Sequence, residues 1–340
     1  MAEVIKLKPP KKDSKDFAED LTSLCKDDLM SINTIILDKL NSDVPLIHEI
    51  ASYLINSGGK RLRPLLTACA FKMCNNSTNK NYLGLAAAVE FIHVATLMHD
   101  DIIDESKKRR GKLTANQIWG NKTSVLVGDF LFSRAFQLMA KDGSTEILKL
   151  LSDTSVTISE GEVLELTNDK DPTINEDIYF KVIKGKTASL FSAACQVGAM
   201  AAKVSNEKIE ALKTYGVNFG MSFQLIDDAN DYSSSFYHLG KNVGDDFKQG
   251  KITLPIILAY LRSNNEEKKY WKRTIQELNQ KKNDFEKALN IIKKYNCLED
   301  TIKRANHFAN IAKDSLGTFE NTNFKKALIS LTNLSLKRFE

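Results

Sequence analysis

Two segments carry acids at a spacing that matters. His99-Asp100-Asp101-Ile102-Ile103-Asp104 and Gln224-Leu225-Ile226-Asp227-Asp228-Ala229-Asn230-Asp231 each contain a D-D-x-x-D pattern. On a helix, Asp100 and Asp104 stand at i and i+4, as do Asp227 and Asp231, so each pair of carboxylates points the same way one turn apart. Two such charges repel by about 4 kcal/mol at a separation near 4 Å and an effective dielectric near 20. A hard cation relieves this: Mg²⁺ takes one or two carboxylates and completes its shell with substrate phosphate and water. One such motif is a weak signal. Two, each entering from an apolar helix (Ala95-Thr96-Leu97-Met98 before the first, Phe223 and Ile226 around the second), point to metal-assisted handling of a phosphorylated substrate.

Cations stand next to both motifs. Gly58-Gly59-Lys60-Arg61-Leu62-Arg63-Pro64 sets basic residues on a glycine turn that opens a helix, where backbone amides attract anions. The turn lacks the G-x-x-x-x-G-K-[ST] spacing of a P-loop. Arg109-Arg110-Gly111 follows the first motif, and arginine suits bidentate phosphate contacts. Lys184-Gly185-Lys186-Thr187 precedes another apolar helix, and Lys241 and Lys251 bracket Gly244-Asp245-Asp246. Each cluster alone reads as solvated surface; beside two acid clusters they suggest a site for more than one polyphosphate. His93 lies two turns before Asp100 on the same face, about 10 Å away, a candidate donor to a second anion.

Other chemistries lack their signatures. There is no H-E-x-x-H, no G-x-S-x-G and no Cys/His cluster. The odd set Cys25, Cys69, Cys74, Cys195 and Cys297 contains no C-x-x-C, which fits a reducing compartment and a cytoplasmic protein. A net charge of +5 over 340 residues does not require nucleic acid, and no recognition motif for it occurs. The Lys-rich start with Pro9 and Pro10 lacks the apolar run of a signal peptide, and residues 1–14 read as a loose arm. No run of about 20 apolar residues suggests a membrane span.

The elements that must position these groups are helices. Only six prolines occur, none between Pro64 and Pro172, and Leu85, Val89, Ile92, Thr96, His99 and Ile103 follow a three-and-four spacing. Alternating runs with Asn-Gly or Asp-Gly turns are not evident. The spacing predicts helices over 16–42, 43–57, 62–75, 81–105, 114–119, 122–141, 144–168, 175–201, 206–234 and 252–262, with several more from 265 to 338. With no repeat and no linker, residues 1–340 read as a single helical domain.

Taken in order, G-G-K-R-L-R-P, E-F-I-H, L-M-H-D-D-I-I-D, R-R-G-K, V-G-D, G-K-T, F-Q-L-I-D-D-x-x-D, L-G-K-N-V-G-D-D and G-K-x-T-L-P make the chain resemble the trans-prenyltransferases. These head-to-tail isoprenyl diphosphate synthases match from about residue 50 to 260. Within that family the chain is most similar to the long-chain, octaprenyl-type synthases that supply quinone side chains. The resemblance implies an all-α isoprenoid synthase bundle around a central cavity, usually a homodimer. It implies Mg²⁺, about three ions per site with Mn²⁺ as a substitute, bound by Asp100, Asp104 and Asp227 with Asp101, Asp228 and Asp231 beside them. The allylic diphosphate would be held by Arg109, Lys186, Thr187, Gln224, Lys241 and Lys251, and isopentenyl diphosphate by Lys60, Arg63, His93 and Arg110. Asp246 would order metal-bound water. Glu165 and Ala229-Asn230 depart from the commoner family residues.

The reaction implied is ionisation of the allylic diphosphate, attack by the isopentenyl double bond and loss of a proton to the departing diphosphate. In this family a bulky residue four or five positions before the first aspartate stops the growing tail. Here those positions hold the small Ala95 and Thr96, so the expected product is long, about C40–C50, and its release would call for a membrane surface. Phe132, Phe136, Leu138 and Met139 are candidates for the tunnel floor. A C15–C25 synthase, a terpene cyclase and a non-catalytic regulatory subunit stand as alternatives. The complete Lys60/Arg63/His93 set speaks against a cyclase, and the six retained aspartates against a regulatory subunit.

Overall fold

A computed structural model describes residues 18–55, 59–74, 79–233 and 244–337. Lys241 and the 1–14 arm lie outside the described residues. The helices are α1 (Glu19–Leu24), α2 (Lys26–Lys39), α3 (Pro45–Ile55), α4 (Leu62–Cys74), α5 (Asn81–Ile103), α6 (Ala115–Trp119), α7 (Asn121–Asp142), α8 (Thr145–Thr167) and α9 (Glu176–Ile183). They continue with α10 (Ser189–Ala201), α11 (Asn206–Asp231), α12 (Asp245–Gln249), α13 (Leu254–Arg262), α14 (Asn265–Trp271), α15 (Asp284–Lys294), α16 (Cys297–Ser315) and α17 (Asn323–Leu336). The fold is all-α, as expected.

Local chemistry sets the helix ends. Ser144, Asn175 and Thr322 accept from backbone amides of their own first turns, and Asn264 and Glu267 form a reciprocal capping box. Pro255 occupies the first turn of α13, where its missing N–H costs nothing.

Three features were not foreseen. The expected 16–42 helix breaks at Cys25, which leaves helical geometry at φ −110°, ψ 24°. The expected 175–201 helix carries a π-helical turn at Lys184–Ala188. A two-stranded antiparallel ribbon, β1 (Lys108–Arg109) with β2 (Lys112–Leu113), follows α5. Its two-residue turn puts Arg110 at φ 52° and Gly111 at φ 78°.

Two cores share one spine. The first gathers α2, α4, α5, α7 and α10; the second gathers α13 to α16 around the buried Trp271. α11 runs through both: Leu212, Tyr215 and Phe219 pack in the first, Met221, Leu225 and Ile226 in the second. α5 is apolar on nearly every side because it is buried on nearly every side. It is also the one helix, among the described residues, long and apolar enough to cross a membrane, and 78% of its apolar window is buried within the bundle.

Candidate active site

α5 and α11 end in their acids. Asp100 lies in the last turn of α5 and Asp104 is its C-cap; Asp227 and Asp231 close α11; neither last turn holds a basic residue. A helix C-terminus already carries about half a negative charge, so these carboxylates stand where they are least favoured. Asp100, Asp104 and Asp227 line one cavity of about 780 Å³. Burial raises the Asp100 pKa, Lys186 opposes the rise and Asp104 adds to it. Asp246 is pushed well above the carboxylate range by burial, and Asp231 and Asp228 push it further.

The other three aspartates each accept hydrogen bonds from the protein itself. Neighbouring helical residues point about 100° apart, so Asp101 and Asp228 cannot face the way Asp100 and Asp227 do. Asp101 accepts from Arg109 Nε at 2.9 Å and Nη2 at 2.8 Å. Asp228 accepts from Tyr179 Oη at 2.6 Å and Gln224 Nε2 at 2.7 Å. Burial lifts its pKa to about 7 against those two donors. Asp231 accepts from the amides of Gly244, Asp245 and Asp246 at 3.0–3.3 Å and so anchors the start of α12, which carries Asp246. None of the three lines the 780 Å³ cavity.

Cations form the facing wall. The π-helical turn carries Lys186 and Thr187 into the cavity. A Cβ on Gly161 of α8 would lie 2.8 Å from Lys186 N, so backbone meets backbone there. That approach brings Glu162 and Glu165 to Lys186 Nζ, at 2.9 and 2.6 Å. Burial would lower the Lys186 pKa, but Glu165, Asp100 and Glu162 together raise it. Glu162 itself is pushed up to about 7, mainly by burial and by Asp100. Lys251 Nζ donates to Asp104 Oδ2 at 2.8 Å, and Gln224 also faces the space.

The second anion set lines the same cavity from α4, α5 and the ribbon: Lys60, Arg63, His93 and Arg110. The two arginines of the ribbon diverge, Arg109 toward Asp101 and Arg110 over Gly59. Gly59 has φ 148°, and a Cβ there would lie 2.6 Å from Arg110 Nη1. Arg63 stacks on Phe191, 4.1 Å from the ring centroid, and its buried Nε has no hydrogen-bond partner. Burial pushes its pKa down to about 10, with Glu90 opposing. His93 is held well below its usual value by burial and by Arg63 and Arg110, so it is neutral at pH 7.

Sequence reasoning gave no role to Arg61 and Glu90, although both stand in quoted motifs. Arg61 Nη1 donates to the buried Glu90 at 2.6 Å, which spreads one negative charge beneath the arginine group. Tyr179 was also missed; its only signal is a polar tip within an apolar helical run.

Of the two chain-length positions, Thr96 lines the cavity and Ala95 does not. Ala95 is fully buried in the first core, while the Thr96 hydroxyl donates to His93 O at 2.8 Å. None of the four candidate floor residues lines this cavity: Leu138 and Met139 belong to the first core, Phe132 is half-buried against it and Phe136 is exposed. The apolar lining is Leu62, Leu97, Phe191 and Phe223.

The donor set fits a hard divalent ion. Asp100, Asp104 and Asp227 offer oxygen alone. Among the described residues no three His, Cys, Asp or Glu side chains form a group that could hold a metal ion. Phosphate oxygens and water would complete the shell of an ion bound there.

Residues 44–292 match the family model described as polyprenyl synthetase. The chain belongs to the polyprenyl synthetase family. This polyprenyl synthetase is 42% identical to an octaprenyl diphosphate synthase of Escherichia coli over 320 residues, 94% of this chain and 98% of that one. It is 37% identical to an all-trans-nonaprenyl-diphosphate synthase of Rhodobacter capsulatus, covering 96% and 99%. Its fold superposes with TM-score 0.90 on a Caulobacter crescentus polyprenyl synthase solved with calcium and isoprenyl diphosphate, at 44% identity over 97% and 100% of the two chains.

Proposed function

We propose that this polyprenyl synthetase is a transferase that adds isopentenyl diphosphate repeatedly to a farnesyl- or geranyl-type diphosphate, making an all-trans chain of about C40–C50, the span of octaprenyl and decaprenyl relatives. Quinone side chains are the expected use. The observation that carries the reading is the 780 Å³ cavity lined by two acidic helix ends and by two cation sets.

Magnesium bound to Asp100, Asp104 and Asp227 would neutralise the leaving diphosphate and orient it. Lys186, Arg109 and Lys251 take the diphosphate's outer charge; each has a carboxylate partner here that it would have to share. Arg63, Arg110, Lys60 and the neutral His93 hold isopentenyl diphosphate, with Arg63 Nε the donor that lacks a partner. Phe191 and Phe223 keep water from the allyl cation. The departing diphosphate takes the proton, so no protein base is assigned. Thr96, one turn before Asp100 on the cavity wall, leaves room for a tail.

A homodimer and a cytoplasmic location complete the reading, over a single domain spanning the chain. Val125, Leu126 and Phe136 are exposed on α7, and Leu126 at 67%. An apolar face of that kind supports pairing with a second copy. All five cysteines are free, which supports a reducing compartment.

The test is to incubate the protein with Mg²⁺, labelled isopentenyl diphosphate and farnesyl diphosphate, and size the extracted chains. A ladder ending near C40–C50 is expected. A stop at C15–C25 would retain the chemistry and overturn the chain length; no product with any allylic starter would favour a regulatory subunit. Thr96→Phe should shorten the product, whereas Ala95→Phe should cost about 1–3 kcal/mol of stability by overpacking the core.

A further inference from the structure

The cavity wall at Thr187 is backed by an unbroken hydrogen-bond chain. Tyr179 Oη donates to Asp228 Oδ2 at 2.6 Å, Gln224 Nε2 donates to Asp228 Oδ1 at 2.7 Å, and Thr187 Oγ1 donates to Gln224 Oε1 at 2.9 Å. Thr187 and Gln224 line the 780 Å³ cavity; with them Tyr179 and Asp228, both buried, line an adjoining cavity of about 1010 Å³.

The direction of each bond follows from the groups at the far end. Once Asp228 is ionised, the phenol facing it can only donate. A carboxylate that accepts on both oxygens obliges Gln224 to turn its NH₂ inward, and its carbonyl oxygen therefore faces Thr187. The Thr187 hydroxyl then gives its single proton to Gln224. What it shows the cavity is lone pairs.

We propose that Tyr179 is a positioning residue that sets this polarity, so that Thr187 offers an electron-rich oxygen, and no proton, to the allylic carbon as positive charge develops there. The proposal rests on the prenyl-transfer reading above. It revises one expectation from the sequence: a hydroxyl whose proton is already given away cannot donate to a phosphate oxygen, so Thr187 faces the cation and leaves the diphosphate to Lys186, Arg109 and Lys251. Packing alone does not call for the Tyr179 hydroxyl, since its ring already lies against Phe180 at 5.5 Å. Without the hydroxyl, Asp228 keeps a buried oxygen with one donor fewer, and Gln224 is free to turn over.

The experiment uses the full-length enzyme. Tyr179→Phe should lower kcat about ten- to fifty-fold, leave KM for both substrates within about twofold and leave the Mg²⁺ dependence unchanged. The decisive readout is coupling: placed on Thr187→Val, which has no hydroxyl to orient, Tyr179→Phe should change kcat by less than about twofold. Thr187→Ser, which keeps the hydroxyl, should lose less kcat than Thr187→Val. A cationic, nitrogen-containing allyl analogue, offered with inorganic diphosphate, should bind Tyr179→Phe more weakly than it binds wild type. Independent, multiplicative losses in the double variant, or a rise in allylic KM alone, would overturn the proposal. Should Tyr179→Phe not fold, the Thr187 pair decides: a Val variant that raises allylic KM at constant kcat means the hydroxyl grips diphosphate and the proposal is wrong. Wild-type protein that makes no prenyl chain would remove the underlying reaction; an active wild type matched by an equally active Tyr179→Phe would remove only this inference.

Discussion

The cavity and the C-terminal helices use the same residue types to opposite ends. In the cluster from α13 to α16, Arg273 binds both oxygens of Asp284, each at 2.8 Å, and Arg262 binds Asp300 at 2.6 Å. Arg304 grips both oxygens of Glu176 at 3.0 Å, tying α16 to α9. There Arg273 and Arg262 hold Asp284 and Asp300 below the usual carboxylate range. In the cavity the shifts reverse: Asp100 and Glu162 are raised and Arg63 is lowered, in each case chiefly by burial. Two buried atoms, Arg63 Nε and Glu162 Oε1, have no partner at all. The cluster's charges answer one another and hold the fold. Those of the cavity are kept for groups that arrive from outside.

This contrast can be broken by substitution, starting where the effect should be largest. Asp100→Asn should lower kcat by about a thousand-fold, ~4 kcal/mol of transition-state stabilisation, while the melting temperature holds or rises because a strained carboxylate is gone. A matching loss of stability would show that Asp100 belongs with the structural charges. Arg63→Lys keeps the charge but removes the planar fork, and should raise KM for isopentenyl diphosphate about ten- to a hundred-fold with allylic KM unchanged. Asp284→Asn is the converse: steady-state kinetics should match wild type while denaturant unfolding shows a loss of about 1–3 kcal/mol.

The smallest effect is on pH. A carboxylate whose folded pKa is raised favours the fold when protonated, and that contribution is lost as pH rises through the folded value. Glu162 and Asp228, both near 7, therefore predict that metal-free protein melts higher as pH falls from 8 toward 6. Asp284 and Asp300 are lowered, so their contribution is present above their unfolded pKa and is lost as pH falls through the folded value, below about 4. Melting curves across that range should rise, then fall. A flat profile from 8 to 6 would mean that these two buried acids are not strained.

Much of this was legible in the sequence because helical periodicity is a long-range pattern. The α5, α7, α8 and α11 spans came within a few residues of 81–105, 122–141, 144–168 and 206–234. His93 and Asp100, two turns apart on one face, do share a cavity. The failures are local. The ribbon is two residues per strand, too short to show alternation, and its Arg110-Gly111 turn lies outside the Asn-Gly and Asp-Gly pattern. A D-D-x-x-D string says nothing about which aspartate another chain segment claims. Arg109 claims Asp101 across eight residues, and Tyr179 claims Asp228 across forty-nine. Ala95 and Thr96 are adjacent and both small, and only the packing tells which faces the void.

The π-helical turn at Lys184–Ala188 constrains how this chain can change. Such a turn holds one residue more than a regular helix would there. Deleting that residue would let the segment relax into an ordinary helix while the flanking turns keep their packing, so that Gly198, where a Cβ would lie 2.3 Å from Thr67 O, would still meet α4. What would be lost is the local widening that carries Lys186 and Thr187 into the cavity. A one-residue deletion here should spare the fold and cost the site.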